Sequence, residues 1–310
     1  MSENIATRDA YGKALVELGK ENPSVVVLDA DLSHSTKTIK FAEAFPARFF
    51  NAGIAEANMT GVAAGLATAG KHPFISSFAI FAAGRAFEQI RNSIVYPHLG
   101  VTVAASHAGV TVGEDGGSHQ AIEDIGLMRL LPGMTVIVPA DAIETAGAVR
   151  ALAALNGPAY LRLGRLAVPQ VNSADYQFQI GKATVLKDGQ DIAIFACGLM
   201  VAKALDSAQK LAAEGISAAV INVSTIKPLD KEAIIAYANK CKAVVTAEEH
   251  NIIGGLGSAV AEVLAENCPT KMARVGIEDK FGQSGTPAEL LELYGLTAEN
   301  IAQKARILLK

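Results

Sequence analysis

The sequence predicts an α/β protein of two three-layer domains, each a mainly parallel sheet between helices. Three observations carry that prediction. Short runs rich in Val, Ile, Ala and Phe alternate with longer stretches of helical period. The short runs are nearly continuous in apolar residues, as strands are when helices cover both faces of a parallel sheet. The alternation pauses once, at the polar, proline-containing stretch VPQVNSADYQFQI (168–180), and then resumes.

In order, the first half offers strands at Ser24–Leu28 (SVVVL), Arg48–Asn51 (RFFN), Pro73–Ser77 (PFISS), Val101–Ala105 (VTVAA), Thr135–Val138 (TVIV) and Ala159–Leu163 (AYLRL). Helices are expected between them at Asp9–Glu21, Ala55–Thr68, Ala82–Ile94 and Ala142–Ala154. After the pause come strands Ile192–Ala196, Ala218–Val223, Ala243–Ala247 and Met272–Val275, with helices Ala202–Ala213, Lys231–Asn239, Ser258–Ala265 and Ala298–Leu309. Domains are therefore expected at 1–175 and 185–310, joined by a linker at 176–184. A chain of 310 residues suits roughly two ordinary domains.

Composition narrows the function. Half the residues are hydrophobic and only 19% are charged, which fits well-buried cores or a large subunit interface and excludes disorder. The net charge of −4, without a Lys/Arg stripe, argues against nucleic-acid binding. Cys197, Cys241 and Cys268 are far apart and form no CxxC pair, so neither a zinc site nor a disulfide framework is indicated. The opening MSENIATRDAYGK lacks an apolar signal core, and no uncharged apolar run is long enough to span a bilayer. A cytoplasmic protein with no membrane association is expected.

Four segments could carry chemistry. Glu56 follows a predicted strand at the start of a helix of small residues, in which Ala57, Gly61 and Gly65 share one face. A face so bare admits another helix closely. Such contact would desolvate a carboxyl group at its edge, raise its pKa and leave it able to share a proton. The plainer alternative is an ordinary first-turn acid favoured by the helix dipole. The loop SHAGVTVGEDGGSHQ (106–120) packs His107, Glu114, Asp115 and His119 among four glycines, after a buried strand. Ligands bind beyond the carboxyl ends of strands in such folds, and so many ionisable groups in one loop favour a site over a solvated turn. Phe78, Phe81 and Phe87 would in isolation be core residues. GGLGS at 254–258 lacks both a P-loop lysine and dinucleotide-fingerprint spacing, so a tight strand-to-helix turn is expected there.

Together these motifs resemble the C-terminal two-thirds of a transketolase. The likeness runs through ATR (6–8), DADLSHS (29–35), GIAEAN (53–58), SHAGVTVGEDGGSHQAIED (106–124), LGRLAVPQ (163–170) and FGQSGTPAELLELYGLT (281–297), in the family's order. The GEDG…HQ loop preceded by SerHis is the most specific of them.

The resemblance implies a pyrimidine-binding domain followed by a C-terminal domain, and thiamine diphosphate as cofactor. Glu56 matches the glutamate that hydrogen-bonds the aminopyrimidine and so promotes loss of the thiazolium C2 proton, which permits transfer of a two-carbon fragment from a ketose to an aldose. Phe78 and Phe81 match positions packing around the pyrimidine, and Asp31 a residue near the cofactor. Gly84 stands where the family often has a further aromatic, for which Phe87 is a weak substitute. His119 would contact the oxygen on the reacting carbon, and Asp115 the acceptor hydroxyl beside its aldehyde. Arg8, Ser35, His107 and Arg165 match the group holding the sugar phosphate, and two guanidiniums with an imidazole and a hydroxyl suit a dianion. The family's diphosphate domain, with its GDG motif and metal-binding asparagine, has no counterpart in this sequence. The resemblance therefore implies an N-terminal partner subunit carrying that domain and the Mg2+ or Ca2+ site, with assembly to α2β2 and phosphosugars as substrates. The rivals are a 1-deoxyxylulose-5-phosphate synthase, a 2-oxo acid dehydrogenase beta subunit and a non-catalytic regulatory protein. The SerHis pair and Glu114 favour transketolase over the first, and a phosphate clamp would be unnecessary in the second. Retention of Glu56, Asp115 and His119 speaks against the third.

Overall fold

A computed structural model describes residues 4–310. In chain order the strands are β1 Ile5–Ala6, β2 Val25–Asp29, β3 Phe49–Asn51, β4 His72–Phe78, β5 Thr102–Ser106, β6 Thr135–Ile137, β7 Ala159–Arg162, β8 Ala167–Val168, β9 Thr184–Lys187, β10 Ile192–Ala196, β11 Ala218–Asn222, β12 Thr225–Lys227, β13 Ala243–Asn251 and β14 Met272–Ile277. Seven of them form one sheet in the order β12-β6-β7-β5-β4-β2-β3, and five form another in the order β14-β13-β10-β11-β9. Both sheets are parallel except at one edge, where β12 and β9 run antiparallel to their neighbours. The central strands β2, β5, β10 and β11 are buried along their whole length, in keeping with their unbroken apolar runs.

Capping fixes several helices. Asp141 accepts from the Glu144 N–H to start Ala142–Ala153, and Thr297 caps Ala298–Leu309 in the same way. Pro287–Leu293, absent from the expected elements, begins with a capping box between Thr286 and Glu289 and a proline in its first turn. The helix expected at Ala82–Ile94 is not one regular helix. It winds as π-helix over Ile80–Arg85 and Ile90–Val95 around a short α segment, Phe87–Gln89. Phe87 packs against the core instead of beside Phe78 and Phe81, so it does not replace the aromatic missing at Gly84.

The two sheets are not independent. Strand β12 lies beyond the polar stretch in sequence, yet pairs with β6 at the edge of the first sheet. One apolar cluster runs from Met59, Ile90 and Val136 to Phe195, Ile221 and Val260. At the same junction Arg162 forks onto the buried Asp124, which also accepts from the Tyr160 hydroxyl, and donates to the Glu249 carbonyl.

Strand β13 continues four residues past its expected end, through Glu248, Glu249 and His250, all buried. Each acid has a dedicated partner. Glu248 accepts from the Leu256 and Gly257 N–H groups at a helix start, so the GGLGS turn already holds a carboxylate from its own chain. Glu249 accepts from the Thr111 N–H at 2.7 Å. Burial pushes its carboxyl up to about 7, against the opposing pull of Arg162 and the Thr111 amide. A raised folded-state pKa means stability that is complete below the carboxyl's ordinary value and lost as pH climbs through 7. Glu249→Gln is therefore expected to be more stable than the parent at pH 8 by on the order of 2 kcal/mol, with the gap closing by pH 5. Denaturant unfolding at both pH values checks this; a pH-independent difference would contradict it.

Candidate active site

Strands β2, β3, β4, β5 and β7 are mutually parallel, so their carboxyl ends meet at one edge, where the fold binds ligands. The β2 end is organised by Asp29, which is buried and takes the Leu32 N–H and the hydroxyls of Thr36 and Thr38. Asp31 follows with φ 63° and is exposed. It forms a reciprocal pair with Asn51 at the end of β3: its N–H donates to Oδ1 at 3.1 Å, and Asn51 Nδ2 donates to its carboxylate at 3.2 Å.

Glu56 opens the helix Glu56–Thr68 and is only 2% exposed. Its burial is complete within this chain. The small-residue face does not cause it, because Gly61 and Gly65 have open space beside them. Both carboxylate oxygens accept from Arg85 Nη1 at 2.9 Å. Arg85 is half exposed and lies 4.5 Å over the Phe81 ring, combining an ion pair with a cation–π contact. It belongs to the π-helical segment, a distortion that often marks functional positions.

Phe81 stacks on Phe78 at 5.9 Å and 10°, and Phe78 stacks on the His107 imidazole at 3.9 Å. His119 meets Phe81 edge-on at 5.3 Å, and its Nδ1 lies 3.0 Å from the Ser118 hydroxyl. His107 sits 2.9 Å from Arg8 Nη1 through Nε2 and 2.9 Å from the Ser106 hydroxyl through Nδ1. An arginine can only donate, so Nε2 carries the lone pair and Nδ1–H donates to Ser106. Burial pushes the imidazole down to about 3, helped by the positive charges of Arg8, Arg165 and Lys37. His107 is thus neutral at physiological pH. Burial also lowers the Arg8 pKa, with Asp9 opposing and Arg165 assisting.

The pairing of β1 with β8 brings Arg8 to Arg165 across the chain, supported by the Gly164 N–H bond to the Thr7 hydroxyl at 2.7 Å. Arg165 donates to the Val112 carbonyl and lies 3.4 Å from Glu114 and 4.0 Å from Asp115. Ser35 joins the cluster differently from the expectation. Its backbone carbonyl accepts from Arg8 at 3.0 Å, because the short helix Ser33–Thr36 turns that carbonyl toward the guanidinium. Lys37 adds a third cation, its ammonium 3.7 Å from Asp9.

The fold therefore brings Glu56, Phe81, Phe78, His119, His107, Arg8 and Ser35 into one contact chain, in which Arg85 bridges Glu56 to Phe81, with Arg165 and Asp115 beside it. Asp31 lies at the same sheet edge but makes its hydrogen bonds to Asn51. Arg85 and Lys37 escaped the sequence analysis. Arg85 lies 29 residues from Glu56 and so outside any local spacing. Lys37 enters the cluster only because it adopts a left-handed conformation, φ 70°. Among the described residues no three His, Cys, Asp or Glu side chains gather in a metal-holding group. Nor, among the described residues, is any helix long and apolar enough to cross a membrane.

Residues 3–170 match the family profile described as the transketolase pyrimidine-binding domain, and residues 181–301 that of the transketolase C-terminal domain. A Methanocaldococcus jannaschii chain described as "Putative transketolase C-terminal section" is 52% identical, over 96% of this chain and 94% of that one. The 6-deoxy-6-sulfo-D-fructose transketolase subunit SqwH of a Clostridium species is 45% identical, over 96% and 92% respectively. A solved structure titled as a split gene transketolase, inactive beta4 tetramer, is 58% identical with a TM-score of 0.91, covering 99% of each chain.

Proposed function

The chain belongs to the transketolase family, and from that premise we propose that it is the pyrimidine-domain subunit of a split transketolase. It would transfer a two-carbon ketol unit from a ketose phosphate to an aldose phosphate, with a separate subunit supplying the diphosphate domain. In this proposal residues 1–175 are the pyrimidine-binding domain, 176–184 the linker and 185–310 the C-terminal domain. The single observation that carries it is the run from buried Glu56 through Arg85 to stacked Phe81 and Phe78 and on to the Arg8–His107 pair. It sets a buried carboxylate, a flat aromatic wall and an anion clamp side by side.

The residues fit thiamine diphosphate. Phe78 and Phe81 offer apolar ring faces to a pyrimidine, and Glu56, linked to them through Arg85, is buried with a carboxylate able to accept from a ring N–H. Bound there, the cofactor supplies the electron sink that lets a bond next to a ketose carbonyl break. The chain's residues supply position and proton control. Glu56 would accept from the ring N–H that sets the tautomer, once Arg85 yields one of its oxygens. His119 would contact the oxygen of the reacting carbon, and Asp115 would accept from the acceptor hydroxyl next to the aldehyde. Asp31, exposed at the end of β2, lines the cofactor side. Arg8, Arg165 and Lys37 neutralise the sugar phosphate, while neutral His107 and the Ser35 carbonyl accept from Arg8 and so hold its guanidinium in place. Three cations around an uncharged imidazole suit a phosphate dianion better than a sulfonate monoanion. We assign Mg2+ or Ca2+ to the partner's domain.

Surface features beside Glu56 support a partner there and an α2β2 assembly. Ile54 is 77% exposed, Phe50 and Val62 are also exposed, and the bare Gly61–Gly65 face leaves room for close contact. The experiment is an assay with thiamine diphosphate, Mg2+, a ketose phosphate donor and an aldose phosphate acceptor, using the chain, a diphosphate-domain candidate and their mixture. Ketol transfer by the mixture only is expected. Consumption of pyruvate by the mixture, with no transfer between sugars, would move the chain to the decarboxylating relatives.

A further inference from the structure

The motif at 281–297 finds no role in the chemistry above, yet its first residues grip the loop that carries Asp115 and His119. Gln120 Nε2 donates to the Gln283 carbonyl at 2.9 Å and to the Val110 carbonyl at 3.1 Å. The Ser284 hydroxyl donates to the Glu114 carbonyl at 2.7 Å. Gly117 and Gly282 press backbone to backbone: a Cβ on Gly117 would lie 2.6 Å from the Gly282 carbonyl oxygen. Glu249 holds the other end of the loop through the Thr111 N–H, and a Cβ on Gly109 would lie 2.2 Å from its carboxyl. The Tyr294 hydroxyl fixes the gripping segment by donating to the Phe281 carbonyl at 2.9 Å.

Within the first domain the loop is closed at its base by the Gly109 N–H to the Ala121 carbonyl and held by Arg165 at the Val112 carbonyl. Its own backbone bonds beyond that are single turns, Gly113 to Val110, Gly116 to Gly113 and His119 to Gly116, around one short 3-10 helix at Val110–Val112. Four glycines in so short a span make ordering entropically costly. The remaining anchors, except the Gln120 bond to Val110, come from the second domain.

We propose that the second domain is the positioning element of the substrate loop, acting through residues 282–284 at one end and Glu249 at the other. It sets how Asp115 and His119 meet the acceptor sugar, an inference that rests on the site roles assigned above. The domain thereby contributes to acceptor binding without placing a side chain on the reacting atoms.

Gly282→Ala tests this outside the reacting groups. The new methyl would sit 1.6 Å from Gln120 Oε1, so the Gln120 amide must leave its carbonyl partners. Gln120→Met releases the same bonds without altering the second domain, which guards against a folding defect in the first variant. Amide hydrogen exchange on the full chain should rise at least about tenfold across residues 113–119, with peptides from β10, β11 and β13 unchanged. In the complex with the diphosphate-domain partner, the acceptor KM should rise about tenfold while kcat stays within about twofold. Unaltered exchange in the loop for both variants would overturn the inference, whatever the kinetics. Faster exchange with an unchanged acceptor KM would uphold the grip on the loop and instead overturn the substrate roles of Asp115 and His119.

Discussion

Glu56→Gln is expected to lower kcat of the assembled enzyme on the order of a thousandfold while leaving the fold intact. The carboxylate is buried, and an amide of the same shape cannot exchange a proton with a ring nitrogen. The structural cost is small. Gln keeps one oxygen to accept from Arg85, and the half-exposed guanidinium can complete its hydrogen bonds with water. Weakening one charge-assisted contact in this way costs about 1 kcal/mol of stability. Steady-state kinetics and a thermal melt of the same preparation separate the two effects. A loss of only a few-fold in kcat would make Glu56 a scaffold residue and return the protein to a binding or regulatory role. A large drop in melting temperature would instead trace the loss of activity to folding.

Arg8→Met should act on substrate binding. Arg8 donates to both the Ser35 carbonyl and His107 Nε2, and its charge helps keep that imidazole neutral. Removing it deletes one of three cations from the clamp and frees the lone pair that fixes the tautomer. The KM for a phosphorylated sugar is expected to rise roughly a hundredfold, about 3 kcal/mol, with little change for the unphosphorylated analogue. With one positive neighbour gone, the His107 pKa should move up from about 3, though burial continues to hold it below its ordinary value. Arg8→Lys should rescue only part of the loss, since a compact, strongly hydrated ammonium on a flexible stem does not match the planar head whose Nη1 meets both fixed acceptors. Equal effects on phosphorylated and unphosphorylated sugars would show that Arg8 does not face the phosphate.

Much of this architecture was legible in the sequence because parallel strands buried on both faces read as unbroken apolar runs. SVVVL, VTVAA and IAIFA each announce a strand that the structure places within a residue of its expected bounds. The features that escaped depend on contacts between distant segments. The acids Glu248 and Glu249 fall past the expected end of a strand at Ala247, since nothing local reveals that helix N–H groups and Thr111 await them. Strand β12 is three residues long and finds its partner across the domain junction. The small residues after Glu56 leave open space beside Gly61 and Gly65, but Glu56 is buried by its own chain. For the site, SHAGVTVGEDGGSHQ gave away its ionisable groups through their density. The contribution of Ser35 by carbonyl, of Lys37 by a left-handed turn and of Arg85 by long-range pairing needed three dimensions.

The central claim is that Glu56 of this chain acts on a thiamine cofactor whose diphosphate is held by another subunit. Proton exchange at the cofactor's C2 position, followed by NMR in deuterated buffer, reports on that contact without any sugar present. Fast exchange is expected only when the chain and its partner are mixed, falling by about a hundredfold or more with Glu56→Gln. Equal rates in the Glu56→Gln mixture, or fast exchange with this chain alone, would contradict it.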